Sequence, residues 1–210
     1  MVAAAVCAAL AGRGERVAAF KPVVTGLVAR PEVWPRDHEL LAAAAGGGQS
    51  PEQVAPYRFD PPVSPHYAAE LAGEAIEPAR LLDTARAAGR ERTLVAEGVG
   101  GLLVPITAGY LVRDLAIELA LPLVIAARTG LGTINHTLLT IEAARAAGLG
   151  IAGVVMTPWP TEPGPIELSN RATVERLGGV PVSGLPHTDP GSLAEAGSHL
   201  PLGKWLPWTR

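Results

Sequence analysis

Cysteine is all but absent. Cys7 stands alone in 210 residues, which excludes an internal disulfide framework and a cysteine-rich zinc site. Aromatic residues make up 4%, too few for a base-stacking platform. Neither sign of charge dominates. Seventeen Lys and Arg face 20 Asp and Glu, for a formal net charge of −3. A chain without a basic surplus lacks the phosphate contacts that drive general nucleic-acid binding. Long hydrophobic runs are missing too: the longest, around Leu119 to Ala127, is too short to span a bilayer and contains Pro122. No basic stretch precedes the apolar residues after Met1, so no secretory signal is read there. Lysine is scarce, with Lys21 and Lys204 the two among 17 basic residues. What the chain does have is 48% hydrophobic residues and a mean hydropathy of +0.25, ample for a packed core. The composition predicts a soluble, cytoplasmic protein of one domain (residues 1–210) that handles small molecules, with no nucleic-acid or membrane partner.

Hydrophobic periodicity and breakers divide the chain into alternating helices and short apolar strands. Helices are predicted over Val2 to Ala11, from Asp37, and over His66 to Leu71, Glu77 to Ala88, Leu111 to Ala120, Thr133 to Ala147 and Ile166 to Leu177. Strands are predicted at Val17 to Phe20, Thr93 to Ala96, Leu123 to Ala127, Ile151 to Met156 and Val180 to Val182. Residues 27–36, with Pro31 and Pro35, read as loop. The five prolines of residues 50–66 read as an irregular excursion, and the tail as Pro/Gly-rich coil. Continuous apolar strands separated by helices predict an α/β fold: a doubly wound, mostly parallel sheet with helices on both faces. Ligands of such sheets bind beyond the carboxyl ends of the strands.

Those strand ends hold the candidates for chemistry. Lys21 follows the first strand and can act as a point-charge clamp on phosphate, or as an ordinary surface lysine. Glu97 follows the second and opens a turn with Gly98, Gly100 and Gly101. Such a turn lets backbone approach an anion while the acid holds a cation, or is simply a tight turn. Asp37 fits a helix cap or a first-turn acid, and with Glu97 it could supply the one or two carboxylates of a magnesium site. Arg128 to Thr137 is a glycine turn leading into a helix, a position for anion or partner contact.

The segments KPVVTG (21–26), PRDHELL (35–41), LVAEGVGGLLVP (94–105) and LPLVIAARTGLGTINHTLLTIEAARAAGLGIAGVV (121–155) together resemble the dethiobiotin synthetases of biotin biosynthesis. The resemblance covers almost the whole chain and weakens after about Trp159. It implies a P-loop NTPase-like fold, a homodimer, and ATP and Mg2+ as co-substrate and cofactor. The implied reaction converts 7,8-diaminopelargonate, CO2 (or bicarbonate) and ATP into dethiobiotin, ADP and phosphate. Carried over position by position, Lys21 resembles the active-site lysine between carbamate and γ-phosphate. Thr25, Leu131 and Asn135 match substrate-contacting positions, the last two in a turn that reaches substrate across the dimer. Asp37 and Glu97 match the magnesium carboxylates. Glu97, Gly98, Val99 and Gly100 lie along the nucleotide phosphates, and Thr157, Pro158, Pro186, His187 and Thr188 fall at base-contacting positions. Many family members carry Asn where this chain has Thr157, which leaves nucleotide preference open here.

The family's phosphate-binding loop, a strand and glycine-rich turn ending Gly-Lys-Thr, has no match in these 210 residues. The expectation is a start codon placed too late, with such a loop encoded in frame upstream. On that reading the 210 residues lack a mid-sheet strand and are predicted inactive and aggregation-prone. A non-catalytic remnant, or another P-loop amidating or partitioning-type ATPase, are the alternatives.

Overall fold

The computed structural model describes residues 1–28 and 34–206. The elements run in chain order α1 (Val2–Gly12), β1 (Val17–Phe20), β2 (Val23–Val24), α2 (Asp37–Ala44), α3 (Pro51–Val54), β3 (Tyr57–Arg58), α4 (Pro65–Ala72), α5 (Pro78–Gly89), β4 (Thr93–Ala96), β5 (Pro105–Thr107), β6 (Tyr110–Leu111), α6 (Val112–Leu119), β7 (Leu123–Ala127), α7 (Thr133–Ala146), β8 (Ile151–Trp159), α8 (Pro165–Gly178), β9 (Val182–Pro186), α9 (Leu193–Ser198) and α10 (Leu202–Trp205).

The predicted parallel α/β architecture is present. Strands β1 and β4 pair in parallel, as do β7, β8 and β9 in that spatial order. Alternation along the strands explains how both faces are buried. Val17 and Ala19 of β1, Val95 of β4, Val124 of β7, Val155 of β8 and Leu185 of β9 all enter one cluster with α1, α9 and α10. The opposite face is divided. Phe20, Leu94 and Ala96 pack with α4, α5 and α6, whereas Ile125, Val154 and Met156 pack with α7 and α8. The two half-sheets thus share one layer, yet among the described residues β4 and β7 do not pair. Between them lies a cavity of about 1490 Å³.

Helix α1 is nearly all alanine and small residues, which lets α9 approach closely. A Cβ built on Gly197 would run into the backbone carbonyl of Ala5. The outer edge of β1 is covered by a side chain: Gln49 Nε2 donates to the Ala19 carbonyl (3.1 Å), and its Oε1 accepts from the Ala19 amide (2.8 Å).

Several boundaries differ from the sequence reading. The stretch 50–66 holds α3, capped by Ser50, and the two-residue β3 paired to β2. Leu111 belongs not to a helix but to a hairpin with Pro105. Strand β8 runs on to Trp159, because Trp159 still pairs with Pro186. The last strand begins at Val182 rather than Val180 and ends at Pro186. The tail carries α9 and α10, which are too short to show a helical period. In each case a tertiary partner stabilises a segment whose local pattern is too brief to register. Pro31 lies outside the described residues. No described helix is long and apolar enough to cross a membrane.

Candidate functional site

Two strand ends and one helix start meet at Lys21. The side chain leaves the carboxyl end of β1 and is 5% exposed. Its Nζ donates to Glu97 Oε1 at 2.5 Å and lies 2.8 Å from Asp37 Oδ2; the Gly98 carbonyl stands at 3.5 Å. Glu97 is delivered by β4, which is registered on β1 so that Ala96 faces Phe20. Asp37 is the first residue of α2, where a carboxylate is favoured by the unpaired amides of the helix start. The fold therefore selects the buried role over the surface role for this lysine.

The electrostatics follow from the geometry. Burial alone would push the Lys21 pKa down, but the charges of Glu97 and then Asp37 outweigh it and hold it above its ordinary 10.5. Burial would raise Asp37, yet the ammonium of Lys21 holds its carboxyl below 3.8, assisted by the nearby α-amino group of Met1. One ammonium between two carboxylates leaves one negative charge in excess. Both acids set one oxygen on the Lys21 ammonium, and as a pair of carboxylates they are hard oxygen donors of the kind a divalent cation takes. No described cluster of three or more acidic, His or Cys side chains surrounds them. Two carboxylates without a protein cage match the way Mg2+ binds, finished by water and phosphate oxygens.

The neighbouring turn is shaped for close approach. Gly100 has φ +66°, and a Cβ there would meet Val104 Cγ2 at 2.8 Å. Gly98 and Gly100 are exposed at the cavity mouth, and Val99 tucks against the α5–α6 cluster. Thr157, whose buried hydroxyl meets no hydrogen-bond partner among the described residues, lines the same cavity as Lys21 and Glu97. Pro158 follows it through a cis peptide bond.

The remaining predicted residues stand farther out. Thr25 is half-buried just after β2. Pro186 ends β9, His187 is exposed, and Thr188 is buried with its hydroxyl donating to the Asp189 carbonyl. Leu131 is fully exposed, and Asn135 is exposed on the first turns of α7. Neither lines the cavity around Lys21.

Two features escaped the sequence reading. Asn170, buried in α8, donates to the Thr129 carbonyl at 2.9 Å and pins the turn before α7. Thr133 assists by donating to the Arg128 carbonyl at 2.6 Å. An asparagine 41 positions from its partner gives no local signal. Trp205 and Leu206 line the cavity from the tail, where sequence suggested only coil. Cys7 is the small core residue expected; burial, then the charge of Glu97, pushes its thiol up to about 12.

The AAA domain family matches residues 1–189. The ATP-dependent dethiobiotin synthetase BioD of Anaeromyxobacter dehalogenans strain 2CP-C is 42% identical over 177 residues, 84% of this chain and 78% of that one. The enzyme of the same name from Bacillus cereus strain B4264 is 37% identical over 187 residues, 88% of this chain and 76% of that one. A solved ParA family ATPase from Chlorobium tepidum TLS overlays with a TM-score of 0.48 at 14% identity, across 94% of this chain and 85% of that one, too loosely to build on. With a family match over nine-tenths of its length and such relatives, the chain belongs to the ATP-dependent dethiobiotin synthetases, ligases of biotin biosynthesis.

Proposed function

We propose that this protein joins CO2 to 7,8-diaminopelargonate and closes the ureido ring at the expense of ATP, in the cytoplasm and as a homodimer. The observation that carries the reading is the buried Lys21 held between Asp37 and Glu97 at the carboxyl ends of parallel strands. The chemistry must bring two anions together, a carbamate and a triphosphate, and a cation has to stand between them. In the proposed reaction one amine of the substrate takes up CO2 as a carbamate. A carbamate oxygen then displaces ADP from the γ-phosphorus and forms a carbamic–phosphoric anhydride. The second amine attacks the carbonyl carbon, and phosphate leaves.

Each residue has a physical task in this scheme. Lys21, kept charged by its two acids, holds carbamate and γ-phosphate at bonding distance. Thr25 binds the carbamate end of the substrate. Asp37 and Glu97 would hold Mg2+, which when bound neutralises the phosphate charges. The glycine turn at 98–100 gives the phosphates room to lie against the backbone. Thr157, Pro158, Pro186, His187 and Thr188 flank the nucleotide base. Leu131 and Asn135, exposed and outside the cavity, reach the substrate of a second protomer.

The test is phosphate release and dethiobiotin formation with ATP, Mg2+, bicarbonate and 7,8-diaminopelargonate. It is run on the 210-residue chain and on a chain carrying the strand-and-loop extension that the resemblance predicts. Release that depends on the diamine and falls with Lys21→Gln supports the proposal. Release indifferent to the diamine in the longer chain overturns it.

A further inference from the structure

The turn between β7 and α7 is braced from two sides. Thr133, buried at the start of α7, donates its hydroxyl to the Arg128 carbonyl at 2.6 Å and its amide to the Gly130 carbonyl at 3.2 Å. From α8, Asn170 Nδ2 donates to the Thr129 carbonyl at 2.9 Å and stands 3.5 Å from the Gly130 carbonyl. The His136 amide donates to the Gly132 carbonyl at 3.3 Å. Gly132 turns the chain at φ +89°, where a side chain would be strained. What this fixed backbone presents is Leu131, an apolar side chain exposed in full, and then Asn135, also exposed. The brace is itself firmly mounted. Val174, one helical turn after Asn170, is fully buried with Ile141 and Val182. Arg145 of α7 donates to the Gly178 carbonyl at 2.6 Å, and Glu175 accepts the Val182 amide at 3.4 Å. A buried amide side chain costs free energy unless it is bonded. Asn170 finds its partners in a turn 40 and 41 positions away.

We propose that Asn170 is a positioning residue for the ligation, one that acts on the active site of a second protomer. It holds the turn at 128–132 in place before substrate arrives, so that Leu131 and Asn135 meet the diamine held at the partner's Lys21. This role rests on the homodimer and the substrate contact of the functional reading above. Asn170 touches no substrate; it works through the carbonyls of Thr129 and Gly130. The physical reason is preorganisation. A loose turn that had to order on binding would lose affinity to the entropy of ordering its residues, whereas a turn already bonded at four carbonyls does not. A lone exposed leucine makes a specific contact only when its backbone is fixed. Removing the Asn170 donor therefore weakens the diamine contact without altering Lys21, Asp37 or Glu97 of the same chain.

The test is calorimetric binding of 7,8-diaminopelargonate to native, Asn170→Asp and Lys21→Gln protein, and to a mixed dimer. For the last, Asn170→Asp and Lys21→Gln chains carry different affinity tags, are co-expressed and are purified through both tags. Asn170→Asp alone is expected to raise the diamine Kd about tenfold or more. In the mixed dimer the Lys21→Gln chain lends its intact turn to the intact Lys21 of the other chain, so native-like tight sites reappear that neither variant shows alone. Asn170 acting within its own chain, or merely stabilising the fold, gives no such recovery. A mixed dimer that binds no better than either variant, failure to obtain a mixed dimer, or an Asn170→Asp chain that binds as the native chain does each overturns the proposal and leaves the diamine-binding reading standing. A native chain that binds no diamine overturns that reading and this role with it. Should Asn170→Asp fail to fold, Thr133→Val, which removes the hydroxyl brace on Arg128, takes its place in both measurements: weakened binding recovered in the mixed dimer supports the proposal, and unchanged binding overturns it.

Discussion

Replacing Lys21 with alanine strips one ammonium from between two carboxylates. Lys21 is 7% exposed in its side chain, Glu97 22% and Asp37 57%. The Glu97 half of the interaction is a charged, partly buried hydrogen bond, worth about 1.5–3 kcal/mol. The Asp37 half is largely screened by solvent, worth about 0.2–1 kcal/mol. Relief of the burial cost of the ammonium works the other way, which puts the net loss near the lower end, about 2 kcal/mol. For a chain of this size that lowers Tm by roughly 4–8 °C. Lys21→Met keeps most of the buried stem and separates lost packing from lost charge. The pH dependence fixes the sign. Lys21 is raised above 10.5, so its share of stability is fully present below that value and is lost as pH rises through the folded pKa. Asp37 is held below 3.8, so its share is present above 3.8 and is lost as pH falls through the folded pKa. The gap between native and variant protein is therefore flat from about pH 5 to about pH 9 and narrows at both extremes. Denaturant unfolding of native, Lys21→Met and Lys21→Ala protein at about pH 3.5, 7 and 10.5 measures it. A variant as stable as the native chain at pH 7, or a gap that does not change with pH, would refute the reasoning.

Three further outcomes follow from packing and hydrogen bonding. Gly197→Ala drives a methyl into the Ala5 carbonyl, a backbone atom that cannot swing aside, and is expected to cost about 3 kcal/mol in urea unfolding. Gly100→Ala combines a left-handed φ with a contact to Val104; a loss of about 1–3 kcal/mol is expected, together with weaker nucleotide protection against thermal unfolding in any chain that binds it. Asn170→Asp removes the donor to the Thr129 carbonyl and sets a carboxylate against it, so exchange of the 129–132 amides should speed up and stability fall by about 1–3 kcal/mol, whereas Asn170→Ala should fall less.

How much of this was legible in the chain itself depends on range. The strands at 17–20, 93–96 and 123–127 are unbroken apolar runs bounded by charge, glycine or proline, and the structure keeps their limits unchanged. The helix from Thr133 carries its own turn signal and shifts by a single residue. Lys21, Asp37 and Glu97 could be named because each stands at a predicted strand end or helix start. What they do for one another could not, since 16 and 76 positions separate Lys21 from its two acids and no local pattern encodes that meeting. The β2–β3 and β5–β6 pairs were missed for the same reason, being two or three residues long and stable only against each other. Sequence by itself determined the alternation of strand and helix, the parallel fold and the identity of the charged side chains, because these depend on neighbours along the chain. Tertiary structure alone decided that Lys21 is buried between two carboxylates, that Asn170 holds a distant turn, and that β4 and β7 border one cavity instead of pairing. Burial, ion pairing and backbone pairing are properties of groups brought together through space, and their energies exist only once the layers have packed.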